Sequence, residues 1–160
     1  SFYLLAGVLK KIFGNFFIFQ ILYLILCLCL PYIFYKILKE RYRNNANYIF
    51  YLSLIIFLSP YFRTSAVWTL GDNLSLIFFG LFVFYLVKGE KKDSSSDFLV
   101  SLIFLVLCSY IRYYYAIFWI YFIYTYYYKF KFKNLLNFLF LSIFFCYTCV
   151  RIFFLYCQLP

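Results

Sequence analysis

The run FLVSLIFLVLCSYIRYYYAIFWIYFIYTYYYKFKFK, residues 98–133, decides the fold. Residues 98–128 carry a single charge, Arg112, near the middle. Such a length suits either one long helix or two short ones broken near the arginine. The chain's other cations choose between them. Lys36, Lys39, Arg41 and Arg43 follow a first apolar run at 16–35, and Lys88, Lys91 and Lys92 follow a third at 73–88, after a second at 46–60. With spans alternating in direction, these two clusters share one side. The cluster at Lys129, Lys131 and Lys133 joins them only if residues 98–128 cross twice. Short cytoplasmic loops collect Lys and Arg, so two crossings are expected, each only about 14–16 residues long.

That choice places ten of the fifteen Lys and Arg residues on one side, with Glu40, Glu90, Asp93 and Asp97 among them. A sixth apolar run, 134–157, follows. The N-terminal SFYLLAGVLKKIFG, residues 1–14, is too short to cross and suits a helix lying in the membrane interface. The expected fold is all-α: one domain over residues 1–160, a polytopic transmembrane bundle of about six spans with an interfacial N-terminal helix. KGEKKDSSSD, residues 88–97, reads as the one ordinary hydrophilic loop.

Composition agrees. The 160 residues are 68% hydrophobic and 29% aromatic with mean hydropathy +0.90, far from the make-up of a soluble domain. The net charge of +10 comes from clusters between apolar runs and marks topology, so no nucleic-acid partner is implied. Part of the Phe, Tyr, Ile, Leu, Asn and Lys content fits codon usage in an AT-rich genome. All six cysteines fall in or beside apolar runs and read as small hydrophobes; CYTC at 146–149 lacks the second pair or histidine that a metal site needs. No signal peptide precedes the first span, and the start at Ser1 reads as a truncated N-terminus. P-loop, HExxH and GxSxG motifs are missing.

The opposite side is sparse in charge: Arg63, Asp72 and Arg112, besides Lys10 and Lys11 in the N-terminal stretch. Asp72, in Gly71-Asp72-Asn73, suits the N-cap of the third span and also an acidic group at an outward cavity. An unpaired guanidinium near membrane depth costs at least a few kcal/mol, so Arg112 must reach water, pair with Asp72 or hold a phosphate. Arg63 has the same choices. The tyrosines at 113–115 and 126–128 bracket a span as aromatic girdles, and Trp68 suits an interface anchor or a sugar-stacking platform.

These residues, in this order, resemble the early part of a GT-C fold glycosyltransferase, a group that includes protein O-mannosyltransferases and bacterial lipid-A aminoarabinose transferases. SFYLLAGVLKKIFG resembles the segment after the group's first outer-loop acidic motif. LSPYFRTSAVWTLGDNLSLIFFGLFVFYLV resembles its stretch of a Pro, about ten residues and an Asp opening an apolar helix, although Leu70-Gly71 stands where the group has Thr-Pro. CSYIRYYYAIFWIYF resembles its Lys- or Arg-bearing turn between short helices. The resemblance implies transfer of a sugar from a polyprenyl-phosphate donor to a hydroxyl of a glycan, lipid or protein acceptor, on the outer or lumenal face. It implies Asp72 as a secondary catalytic group at the outer cavity, with Arg112, Arg63, Tyr113 and Asn73 binding substrate. The group's main catalytic carboxylate would lie upstream of Ser1. No resident metal or other cofactor is called for, although the group admits a divalent metal. A bacterial inner membrane is the expected location. The segment at 109–122 is also similar to a region of the dolichol-dependent alpha-1,2-glucosyltransferase of N-glycan assembly, which implies the endoplasmic reticulum. A different class, a transporter or lipid flippase gated by an Arg112–Asp72 pair, fits the same charges, as does a non-catalytic assembly subunit.

Overall fold

A computed structural model describes residues 16–42, 46–68, 71–130 and 143. The expected interfacial helix at 1–14 and the sixth span at 134–157 lie outside the described residues, with Arg43, Lys131, Lys133, Arg151 and the CYTC cysteines. Every described element is helical.

Helices α1 (Phe16–Cys27) and α2 (Cys29–Arg41) run on as one apolar rod. They are interrupted only at Leu28, whose N–H is shared between Leu24 O and Ile25 O. Pro31 accounts for the break: it has no N–H to offer the carbonyl four residues back, at Cys27. Helix α3 (Ala46–Leu54) tightens into a 3-10 turn, η1 (Ile55–Leu58), and the chain then bends by 64° into α4 (Pro60–Val67). Ser59 makes this corner. The following proline holds it extended at φ −65°, ψ 117°, and its Oγ accepts from Phe62 N at 3.3 Å. Pro60 thus ends one helix and starts another.

Helix α5 (Gly71–Lys92) is longer than the expected third span. Residues 88–92, expected in a loop, continue the helix, because Lys and Glu are strong helix formers and the reversal needs only two residues. Asp93 takes a left-handed φ of 53°, and Ser94 caps α6 (Ser95–Ile111) by accepting from Asp97 N. Arg112 breaks the next helix in an extended conformation, followed by a 3-10 turn η2 (Tyr113–Ile117) and α7 (Phe118–Phe130).

Residues 98–128 therefore form two antiparallel arms. Lys129, at the end of α7, returns to the α5–α6 turn. Its ammonium donates to Gly89 O at 3.3 Å and to Glu90 O, and pairs with Asp93 at 2.8 Å. A cation there satisfies carbonyls left open at the C-terminus of α5. Lys88–Asp97 at 3.0 Å and Lys91–Glu40 at 3.8 Å lie at this same end, so the basic clusters do gather together. By length and composition, two described helices can cross a membrane, Phe17–Arg41 and Gly71–Lys92, or three if the bent pair of α3–η1 and α4 counts as one. The chain is consistent with a membrane protein on that basis. Helix α6, with 17 residues, and α7, with 13, fall short of a full crossing as continuous helices.

Helix α5 is the central element. One side joins Phe82 and Leu86 to Phe98, Leu105, Trp119 and Phe122 of α6 and α7; the other joins Ile77 to Tyr23, Ile33 and Phe62. In lipid, close approach through small residues replaces the hydrophobic drive between helices. Gly89 is such a site: a Cβ there would lie 2.8 Å from Cδ2 of Phe98, a ring with no exposed surface. Gly89→Ala is expected to lower unfolding stability in detergent by about 1–3 kcal/mol, since the ring has nowhere to move. An unchanged unfolding midpoint would contradict this packing.

Candidate functional site

At the end of the bundle opposite the Lys129 clasp, Asp72 and Arg112 form an ion pair, Arg112 Nε to Asp72 Oδ1. The backbone brings them together from two directions. Helix α5 starts at Gly71, so Asp72 lies in its first turn, where unpaired N–H groups favour a carboxylate. The N–H of Arg112 still donates to Cys108 O at 2.9 Å, closing α6, while its carbonyl accepts from Tyr115 N at 3.2 Å, opening η2. Held on both sides, this residue is a fixed corner.

The two partners differ in access. The Asp72 side chain is 9% exposed and that of Arg112 is 40% exposed, although the Arg112 Nε atom itself is buried. Of the two partners, the Arg112 side chain is thus the more accessible. Tyr61, in the first turn of α4, and Tyr114 both lie in the electrostatic field of Arg112, and Tyr61 lies in that of Asp72 as well. The buried carboxylate holds the arginine in place, and a guanidinium has donors beyond Nε that can take a planar or tetrahedral anion.

The remaining expected residues have different placements. Asn73 is 1% exposed; its amide donates to Phe62 O at 3.0 Å and to Cys27 Sγ at 3.6 Å, tying α4 and α1 to the start of α5. Tyr113 is exposed beside Arg112, with its ring against Tyr114. Arg63 is exposed on α4 and has no ion pair among the described residues. Trp68 stands exposed at the end of α4. No group of three or more His, Cys, Asp or Glu that could hold a metal occurs among the described residues. Sequence reading missed Tyr61 and Tyr114. The Ser59-Pro60 corner was the available clue for Tyr61, and adjacency to Arg112 for Tyr114.

An apolar groove of about 360 Å³ runs between α2, η1 and α5, lined by Leu30, Ile33, Phe34, Ile37, Ile56, Leu76, Phe79, Gly80 and Val83. Leu76 is one helical turn from Asp72, and Phe79 stacks on Tyr115 with ring centroids 4.9 Å apart. The groove thus begins about one turn below the ion pair and presents hydrocarbon surface only.

Comparison with family models, curated proteins and solved structures finds no match to this chain. Function therefore rests on the geometry. Asn73→Ala is expected to cost about 1–3 kcal/mol of unfolding stability by removing a buried side-chain tie from α5 to the Phe62 carbonyl, whereas Arg63→Ala should stay within about 0.5 kcal/mol. Equal effects of the two substitutions would contradict the separation of tie from surface residue.

Proposed function

We propose that this chain is part of a multi-pass membrane glycosyltransferase that moves a sugar from a polyprenyl-phosphate donor to an acceptor hydroxyl. The Asp72–Arg112 pair carries the reading. It sits at the end of the bundle away from the clustered lysines, its arginine side chain is 40% exposed, and an apolar groove starts one turn below. Under the positive-inside rule that end faces outward, to the bacterial periplasm or, in a eukaryote, the lumen of the endoplasmic reticulum. In this reading Arg112 holds the donor phosphate, Asp72 keeps Arg112 oriented, and Tyr61, Arg63 and Tyr113 border the entrance.

The chemistry is a direct displacement. The acceptor oxygen attacks the anomeric carbon, its proton passes to a carboxylate base, and the bond from that carbon to the donor phosphate oxygen breaks. Arg112 stabilises the charge that develops on the departing phosphate. Asp72, already engaged by Arg112, acts as a positioning group; the resemblance assigns the base to another outer-loop carboxylate.

One observation favours a second reading. The 64° break between η1 and α4 gives a discontinuous helix beside a charged pair, a construction that transporters and flippases use to form a site at membrane depth.

Transfer assays on membranes containing the protein, with labelled polyprenyl-phosphate sugars as donors, separate the two. Arg112→Ala should lower the transfer rate about a hundredfold or more, with partial recovery in Arg112→Lys. Movement of the lipid-linked sugar between leaflets without any transferred product would establish the transporter reading instead.

A further inference from the structure

The clustered basic end holds cations of two kinds. Lys88, Lys91 and Lys129 are each paired with an acid, at 3.0, 3.8 and 2.8 Å. Lys36 and Lys39 on α2 are not: both are exposed, and neither has an acidic partner among the described residues. Glu40 is the nearest acid in sequence and could reach Lys36 at i, i+4, but it turns to Lys91 across the helix interface. What the two ammonium groups have is aromatic surface. Lys36 lies 5.4 Å from the ring centroid of Tyr32, and Lys39 lies 5.7 Å from that of Tyr35. In each case the lysine folds back over the tyrosine one turn toward the middle of the helix.

A cation over a ring keeps its full charge. Two such charges at i, i+3 repel each other and stand where only an external anion can neutralise both. Tyr32, 60% exposed, adds a hydroxyl on the same outward stretch. The apolar residues above this stretch, among them Ile21 and Ile25 of α1 and Leu28 at the break, are exposed as a lipid-facing surface would be. The anion that meets this level of a membrane helix is a lipid headgroup.

We propose that Lys36 and Lys39, backed by Tyr32 and Tyr35, form a binding site for the headgroup phosphate of an acidic phospholipid in the leaflet at the basic end. The phosphate takes the two ammonium groups, and the acyl chains follow α1 and α2 toward the bilayer centre. This site is at the opposite end from Arg112 and does not depend on the transferase reading. It would hold the basic end at a set depth in that leaflet.

The test uses the chain in phosphatidylcholine nanodiscs containing a minor fraction of phosphatidylglycerol, with retained lipid counted by native mass spectrometry. Phosphatidylglycerol is expected to be retained over phosphatidylcholine by about tenfold or more relative to its share, as two cations at a membrane surface allow. Lys36→Gln with Lys39→Gln should bring that preference to parity. Lys36→Arg with Lys39→Arg should keep it, showing that the double variant folds. Lys92→Gln, which removes a cation at the same end while leaving Glu40 on Lys91, should leave it nearly intact, and millimolar glycerophosphate in solution should not displace the lipid. No preference in the wild-type chain, an equal loss in the Lys92 variant, or displacement by soluble glycerophosphate would overturn the site.

Discussion

A guanidinium in an apolar layer cannot stand alone, and much of this chain's arrangement at one end answers that constraint. Helix α6 rises about 25 Å over its length, less than the roughly 30 Å of a hydrocarbon core. If Ser95 sits at one boundary, Arg112 falls short of the other. Breaking the helix there, turning through η2 and placing Asp72 on the neighbouring helix gives the charge a partner without carrying it through lipid. The same break sends α7 back. Together η2 and α7 rise about 30 Å, which returns Lys129 to the start of the hairpin.

The ion pair and the lysine clasp are thus the two ends of one device. Between them α5 runs as the shared wall, with Gly89 admitting Phe98 and a bare stretch around Gly80 admitting Ile33, whose Cγ2 would lie 3.0 Å from an added Cβ. The α4 corner closes the Asp72 end from the other side. Asn73 pins it through the Phe62 carbonyl, so the start of α4 is held by the residue next to Asp72. Positioning at this site is therefore distributed over α4, α5 and α6, and the cation in it is Arg112.

Much of this was legible in the sequence. The helical class followed from the unbroken apolar runs, and the hairpin over 98–128 from the positions of Lys129 and the earlier basic clusters. The Arg112–Asp72 partnership followed as one of three options, because a charge in that setting has few outlets. Sequence failed where the decisive contact is tertiary or the local signal was read too coarsely. KGEKKDSSSD has a loop's composition, yet Lys88 to Lys92 extend α5, since Asp93 and Ser94 suffice to reverse the chain. Asn73 looked like a site residue by adjacency to Asp72, and its amide is instead spent inside the bundle on Phe62 and Cys27. Tyr61 was invisible because its role depends on a 64° bend that Pro60 permits without dictating its direction. Among the described residues two or three helices meet the length and composition of a crossing, because hydropathy counts apolar length and does not register the breaks at Ser59 and Arg112.

The central claim is that Asp72 and Arg112 are energetically one unit. A double-mutant cycle of Asp72→Asn and Arg112→Gln, read as unfolding stability in detergent or bicelles, tests it most directly. A coupling energy of about 1–3 kcal/mol is expected, with the double variant less damaged than the sum of the single ones. Additive single effects, within about 0.5 kcal/mol, would show that the two side chains stand at the same end of the bundle without depending on one another.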